Sequence, residues 1–196
     1  ARGTDPASIV VIDQARGRIN AAEHLGCNVL EGDASNDDTL IHIRIAQARS
    51  VLVSAGRDDT SILIVLTVRH LSPNVPISVV IRARDNELLA RQAGANNVIN
   101  PVSFTGLLLA GSAEGAHVAD YMADLAGIAG RVQLVERPVS DAEIGRSLEQ
   151  LVTGGRGLRI YRDGKPYGFW EEEAKQLQAG DHVVEVVRCT PRETNP

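Results

Sequence analysis

Aromatic side chains are scarce in this chain: one tryptophan, two phenylalanines and three tyrosines, 3% of 196 residues. The hydrophobic share is nevertheless 43%, so the apolar mass is Val, Ile, Leu and Ala, the composition of parallel strands covered by helices. Cysteine is almost absent. Cys27 and Cys189 stand far apart and form no metal-ligand spacing, which favours a reducing compartment over a disulfide scaffold. Positive charge is lacking too. The formal net charge of −5 leaves no basic stripe to neutralise phosphates and argues against a nucleic-acid partner. The longest apolar run, SILIVLTV from Ser61 to Val68, falls short of the ~18 residues of a membrane-spanning helix. One further motif is missing: the seven residues ahead of the first strand, ARGTDPA, hold a single glycine and no G-x-G-x-x-G phosphate turn.

What is present is a rhythm. Short β-rich runs, SIVVID (8–13), NVLEGD (28–33), SVLVSA (50–55), ISVVIR (77–82) and NVIN (97–100), alternate with amphipathic stretches over 15–25, 37–45, 58–71 and 85–93. Such βαβα alternation requires right-handed crossovers and a parallel sheet with helices on both faces. Ser35 or Asn36 can cap the second helix and Asp58 or Asp59 the third. Pro101 suits the first turn of the next helix, where its missing N–H costs nothing.

From 102 to 127 runs an Ala/Leu/Gly stretch with glycines at 106, 111 and 115, each costing ~1 kcal/mol inside a helix. It reads as a connecting helix or helix pair that needs a packing partner. Beyond it the pattern changes. RVQLVERPV (131–139) reads as a strand, DAEIGRSLEQL (141–151) as a helix, and GLRIYRDGKPYG (157–168) as a hairpin turning at Asp163-Gly164. LQAGDHVVEVV (177–187) supplies a turn and a last strand. These form a small, separate α+β domain.

Polar residues end four successive strands: Asp13, Asp33 in EGDAS, Ser54 in SAGRDDTS and Arg82 in IRARD. The carboxyl ends of strands in an open parallel sheet line the ligand crevice, so this set marks one. Each member also has a plainer reading, Asp33 as a helix cap and Arg82 as the partner of a surface carboxylate. Catalytic patterns are weak by comparison. Tyr161 and Lys165 have Y-x-x-x-K spacing but straddle a hairpin turn, the five histidines form no H-x-x-x-H pair, and no nucleophile elbow occurs. An enzyme is not expected. Glu171, Glu172 and Glu173 read as a solvated charge run.

The segments SIVVIDQ, LGCNVLEGDASNDDTL, ARSVLVSAGRDDTSILIVLTVR and ISVVIRARDNELLARQAGANNVINP together resemble the RCK (TrkA-N) domain, the cytoplasmic regulator of potassium channels and transporters. The acidic strand end, the GDAS turn, the RARD strand end and the close GANNVINP stand in family order. The later segments SDAEIGRSLEQL, GLRIYRDGK and LQAGDHVVEV are similar to the TrkA-C (RCK-C) domain.

The resemblance implies a Rossmann-like α/β domain lacking its first strand over residues 1–101, a connecting and dimerisation segment over 102–127, a TrkA-C-like α+β domain over 128–190 and a tail over 191–196. The first strand and its glycine loop are expected just upstream of Ala1. It further implies Asp13 on a ribose, Asp33, Ala34 and Ser35 near an adenine, and Ser54, Ala55, Gly56 and Arg57 with Arg82 around phosphates. The ligand would be NAD(H) or another adenine nucleotide. No metal site is implied, because Arg82 and Arg84 stand where some relatives carry calcium-binding carboxylates. The implied setting is a homodimer or higher even oligomer on the cytoplasmic face of a prokaryotic plasma membrane, with Leu107, Leu108, Leu109 and Val118 at its interface. There it would regulate a transmembrane potassium pore. Two alternatives remain: a structural dimerisation module with a degenerate crevice, and a fragment of a nicotinamide-dependent oxidoreductase.

Overall fold

In the computed structural model, residues 4–126 and 130–189 are described. The expected tail, the end of the connecting stretch at 127 and the opening ARG lie outside them. The chain divides into two compact units, Ala1–Leu107 and Leu108–Pro196.

In the first unit, β1 (Val10–Asp13) pairs in parallel with β2 (Asn28–Glu31), setting Asp13 beside Glu31. Helix α1 (Arg16–His24) connects them. A second parallel sheet runs in the order β3 (Val51–Val53), β4 (Ile77–Val80), β5 (Asn97–Ile99). Its crossovers carry α3 (Asp58–Leu71) and α4 (Asn86–Gln92), and α2 (Asp37–His42) follows β2. Among the described residues the two sheets share no hydrogen-bonded strand pair. A doubly wound sheet of order 3-2-1-4-5-6 divides in this way when its strand 1 is left out. The outer half 3-2 corresponds to β2-β1, and 4-5-6 to β3-β4-β5.

Strand alternation places Val53, Ile77 and Val79 against Val65 and Val68 of α3, with Leu40, Ile81 and Ala90 completing the core. Ile12 and Ala34 pack onto the same cluster, and the Thr67 hydroxyl on α3 donates to the Ser35 carbonyl at 3.2 Å. These contacts fasten the β1-β2 pair to the larger sheet. On the opposite face of β3–β5 no covering helix is found among the described residues, where helices on both faces were expected. Leu52 is 80% exposed and Ile99 53%.

Arg69, near the end of α3, closes the base of this unit. Its guanidinium donates to the carbonyls of Pro73 (2.6 Å), Val75 (3.0 Å) and Gly94 (2.6 Å). Gly94 has φ +105°, and a Cβ there would stand 2.9 Å from Arg69 Nε. Only glycine suits both the left-handed backbone and the close approach.

The glycine-rich stretch forms a helix pair, α5 (Pro101–Glu114) and α6 (Ala116–Ala126). A methyl on Gly111 or Gly115 would lie 3.7 or 3.4 Å from the Val118 side chain, an ordinary contact, so neither position requires glycine for space. Among the described residues nothing lies within 4 Å of a methyl placed on Gly106.

The second unit is an antiparallel sheet of order β6 (Val132–Pro138), β9 (His182–Arg188), β7 (Arg156–Arg162), β8 (Lys165–Gly168). Asp163 (φ 51°) and Gly164 (φ 75°) make the expected tight hairpin turn. The helix expected over 141–151 is absent. Two single 3-10 turns, Asp141–Glu143 and Leu148–Gln150, replace it. Between them Gly145 takes φ +82°, and its N–H donates to the Leu177 carbonyl while Leu177 N–H donates to Arg146. Glu143, expected within that helix, is fully buried. It accepts from both Nη atoms of Arg137 at 2.7 Å and from the Ser140 hydroxyl at 2.7 Å. Arg137 Nε also donates to buried Glu185 at 2.7 Å, and Thr153 donates to the same carboxylate at 2.6 Å.

Candidate functional site

The sequence-predicted site residues fall into two groups at the carboxyl ends of the parallel strands. The first surrounds Asp13, the last residue of β1. Its Oδ1 accepts the Ala15 N–H at 2.7 Å, which fastens the entry to α1. Arg18, in the first turns of α1, grips the same carboxylate side-on, Nε to Oδ2 at 2.7 Å and Nη2 to Oδ1 at 2.9 Å. The Arg18 hydrogen bonds, then that of Ala15, hold the Asp13 carboxyl below its ordinary range. Asp33, just past β2, accepts from Ser35 N–H at 2.8 Å and from the Ser35 hydroxyl at 2.7 Å. Those bonds, with a smaller one from Gln14, lower its pKa as well. Asp33 thus shapes the Asp33–Ala34–Ser35 turn ahead of α2, close to its plainer reading as a cap.

The second group joins the β3–α3 loop, Ser54 to Arg57, to the β4–α4 loop. Arg82 Nη1 donates to the Ala55 carbonyl at 2.9 Å. Asp58 reaches back across the gap and accepts the N–H groups of Arg82 (3.0 Å) and Ala83 (2.9 Å) and the Asn86 amide (3.1 Å). These bonds, Ala83 first, lower its pKa. Asp58, with Asp59 as the alternative, was expected to cap α3. Asp58 holds the neighbouring loop instead, while Arg57 sits at the cap position and its side chain makes no capping bond. Arg57 pairs with Asp59, Nη2 to Oδ2 at 2.6 Å, and that guanidinium holds the Asp59 carboxyl well below the usual range. Ser54 is exposed, and among the described residues a Cβ on Gly56 would meet nothing within 4 Å, so they leave the backbone here open to approach.

Beside this second group an apolar groove of about 330 Å³ lies between α3 and α4, lined by Asp59, Ile62, Leu63, Leu66, Asn86 and Leu89. It stands apart from Asp13 and Asp33, and no sequence motif pointed to it.

Residues considered for catalysis stay separate. Tyr161 faces Pro166 and Lys165 faces Arg162 across the β7–β8 hairpin. Among the described residues no three His, Cys, Asp or Glu side chains gather as a metal site. Glu171 accepts the Gly168 N–H and Glu172 pairs with Lys175, so that run is partly tied down. Sequence reading missed two residues that hold these groups, Arg18 on the Asp13 carboxylate and Asp58 on the β4–α4 loop. The signal for Arg18 was available: an Arg five residues after a strand-end Asp falls on the first turns of the following helix.

Among the described residues no helix is long and apolar enough to cross a membrane. The chain is 28% identical over 100 residues to probable potassium channel protein 2 of Methanocaldococcus jannaschii, covering 50% of this chain and 29% of that protein. It is 32% identical over 75 residues to the Trk system potassium uptake protein TrkA homolog of Pyrococcus horikoshii, covering 38% of this chain and 32% of that one. The chain therefore spans about a third or less of these relatives. The solved structure of the human SLO3 gating ring superposes with a TM-score of 0.70 at 12% identity, covering 92% of this chain and 41% of that chain. That likeness extends the shared fold over both units. Residues 2–101 match the TrkA-N domain, the half of the chain that carries both strand-end groups, and the chain belongs to the TrkA-N (RCK) family.

Proposed function

We propose that this chain is the ligand-sensing regulatory part of a potassium channel or potassium-uptake system, reading NAD(H) or another adenine nucleotide at the strand ends. The observation that carries this is the assembly of Asp13, Asp33–Ser35, Ser54–Arg57 and Arg82 at the carboxyl ends of β1 to β4, on a TrkA-N fold. Asp13 would take the ribose, the Asp33 turn the adenine side, and the open backbone at Gly56 with Arg57 and Arg82 the phosphates. No bond of the ligand need break, so the role is regulatory and not enzymatic. The second unit is proposed as a TrkA-C domain.

Exposed leucines on α5 support pairing of two copies. Leu107 and Leu109 are each 73% exposed, and the pair would sit on the cytoplasmic side of a potassium pore. Ligand binding shifts such a paired assembly only by its differential affinity for two arrangements.

A second reading, a dimerisation module with a degenerate crevice, is favoured by one observation. Asp13, Asp58 and Asp59 already have partners within the chain. Calorimetry with ADP and NADH separates the two. The sensing reading expects saturable binding that Asp13→Ala weakens roughly ten- to a hundredfold, the loss of hydrogen bonds to a charged group. No heat with either nucleotide, from a chain that still self-associates, leaves the structural reading.

A further inference from the structure

An ionised carboxylate offers about four acceptor positions, and three of those on Asp13 are in use. Ala15 N–H and Arg18 Nη2 share Oδ1, and Arg18 Nε holds Oδ2. Ribose recognition by an aspartate at this place uses the same oxygens. A 2′-hydroxyl cannot bond Asp13 fully while Arg18 lies across both of them. Arg18 is free to move. Its side chain is 73% exposed, and among the described residues it has no other hydrogen-bond or ion-pair partner than Asp13.

The local charge is also balanced. Glu31 stands beside Asp13 in the strand register, and Arg16 approaches Glu31 at 3.7 Å. Two carboxylates therefore face two guanidiniums, and an incoming dianion does not meet a bare acidic rim. A guanidinium displaced from Asp13 remains tethered at the spot where a 2′-phosphate would lie. Its fork matches phosphate oxygens two at a time.

Resting on the nucleotide reading above, we propose that Arg18 is the specificity-determining residue at the ribose end of the crevice. It competes with a plain ribose for Asp13 and supplies the cation for a 2′-phosphorylated one. The class of ligand selected is thus an adenine nucleotide bearing a 2′-phosphate, as in the NADP family.

The test uses the 196-residue chain and two small probes, AMP and adenosine 2′,5′-bisphosphate, titrated by calorimetry or by amide shifts. The parent is expected to bind the bisphosphate at least as tightly as AMP. Arg18→Ala should bind AMP about two- to fivefold tighter, because an exposed pair of modest strength is removed. It should bind the bisphosphate several-fold weaker, moving the ratio by about tenfold in all. An exposed side chain holds little of the core, so the melting temperature serves as the control for folding. Binding of both probes with an unchanged ratio in Arg18→Ala overturns the role of Arg18 and leaves the crevice standing. No binding of either probe by parent or variant in the low millimolar range removes the crevice itself, and this role with it.

Discussion

Asp58 and Arg82 are joined through the backbone of one and the side chain of the other. The Asp58 carboxylate accepts the Arg82 N–H at 3.0 Å, while the Arg82 guanidinium turns away to the Ala55 carbonyl. The two loops that would face a nucleotide's phosphates are therefore clasped from both sides, once in each direction.

Removing the clasp should loosen both loops together. Asp58→Ala leaves two backbone N–H groups and the Asn86 amide without their acceptor. We expect a loss of about 2 kcal/mol, as for hydrogen bonds to a charged group. Urea unfolding checks the size. Faster amide exchange at Arg82 and Ala83, with the core of α3 unchanged, checks the place.

Two glycines should respond oppositely to the same methyl group. On Gly157 it would stand 2.5 Å from the Leu148 carbonyl oxygen, and overpacking of this kind costs roughly 1–3 kcal/mol. On Gly56 it meets nothing within 4 Å, so Gly56→Ala should melt as the parent does. If phosphates approach the backbone at Gly56, the same substitution should still weaken nucleotide binding. An unchanged affinity would move the phosphates elsewhere.

The Arg137 pair of carboxylates gives a pH prediction whose sign can be reversed. The Arg137 hydrogen bonds lower the Glu143 pKa from its ordinary 4.5 to about 2. A group depressed in the folded state contributes stability above its unfolded pKa and loses it as pH falls toward the folded one. This part of the second unit's stability should therefore hold above about pH 5 and decline between 4.5 and 2. Arg137→Ala leaves Glu143 and Glu185 buried without their cation, at a cost of about 3–5 kcal/mol. Burial then raises the Glu143 pKa, and the variant should be more stable at pH 5 than at pH 7. Denaturant midpoints at the two pH values decide it; a variant that still weakens on acidification contradicts the pairing.

Self-association should depend on α5. Leu107→Glu together with Leu109→Glu changes two residues that are each 73% exposed, so folding should be little affected. Sedimentation should show an even oligomer for the parent and a smaller species for the double variant. A parent chain that stays monomeric at high micromolar concentration removes the interface.

The alternating half of the chain was legible because each strand there is a short β-branched run and each helix a separate amphipathic stretch. Position 145 shows where such reading stops. Ile144, Leu148 and Leu151 are spaced as on a helix, yet Gly145 turns left-handed, Ile144 is exposed and Leu148 is buried. A half-buried Arg137 drawing Glu143 inward outweighed local periodicity, and that pairing joins residues on separate elements. The site followed the same rule. Asp13 and Arg82 could be placed at strand ends from pattern alone. That Asp58 would serve the loop 24 residues later, and not its own helix, depends on the spacing of two strands side by side.

The divided parallel sheet has a thermodynamic consequence. Among the described residues β1 and β3 each carry one row of backbone groups outside any strand pair, and such edges are templates for another strand. A strand that settled between them would turn a two-stranded ribbon and a three-stranded sheet into one continuous surface. If its turn also carried the glycines that cradle a phosphate, strand and nucleotide would share one site. Linkage then makes their effects reciprocal: whatever factor the strand adds to nucleotide affinity, the nucleotide adds to the affinity for the strand.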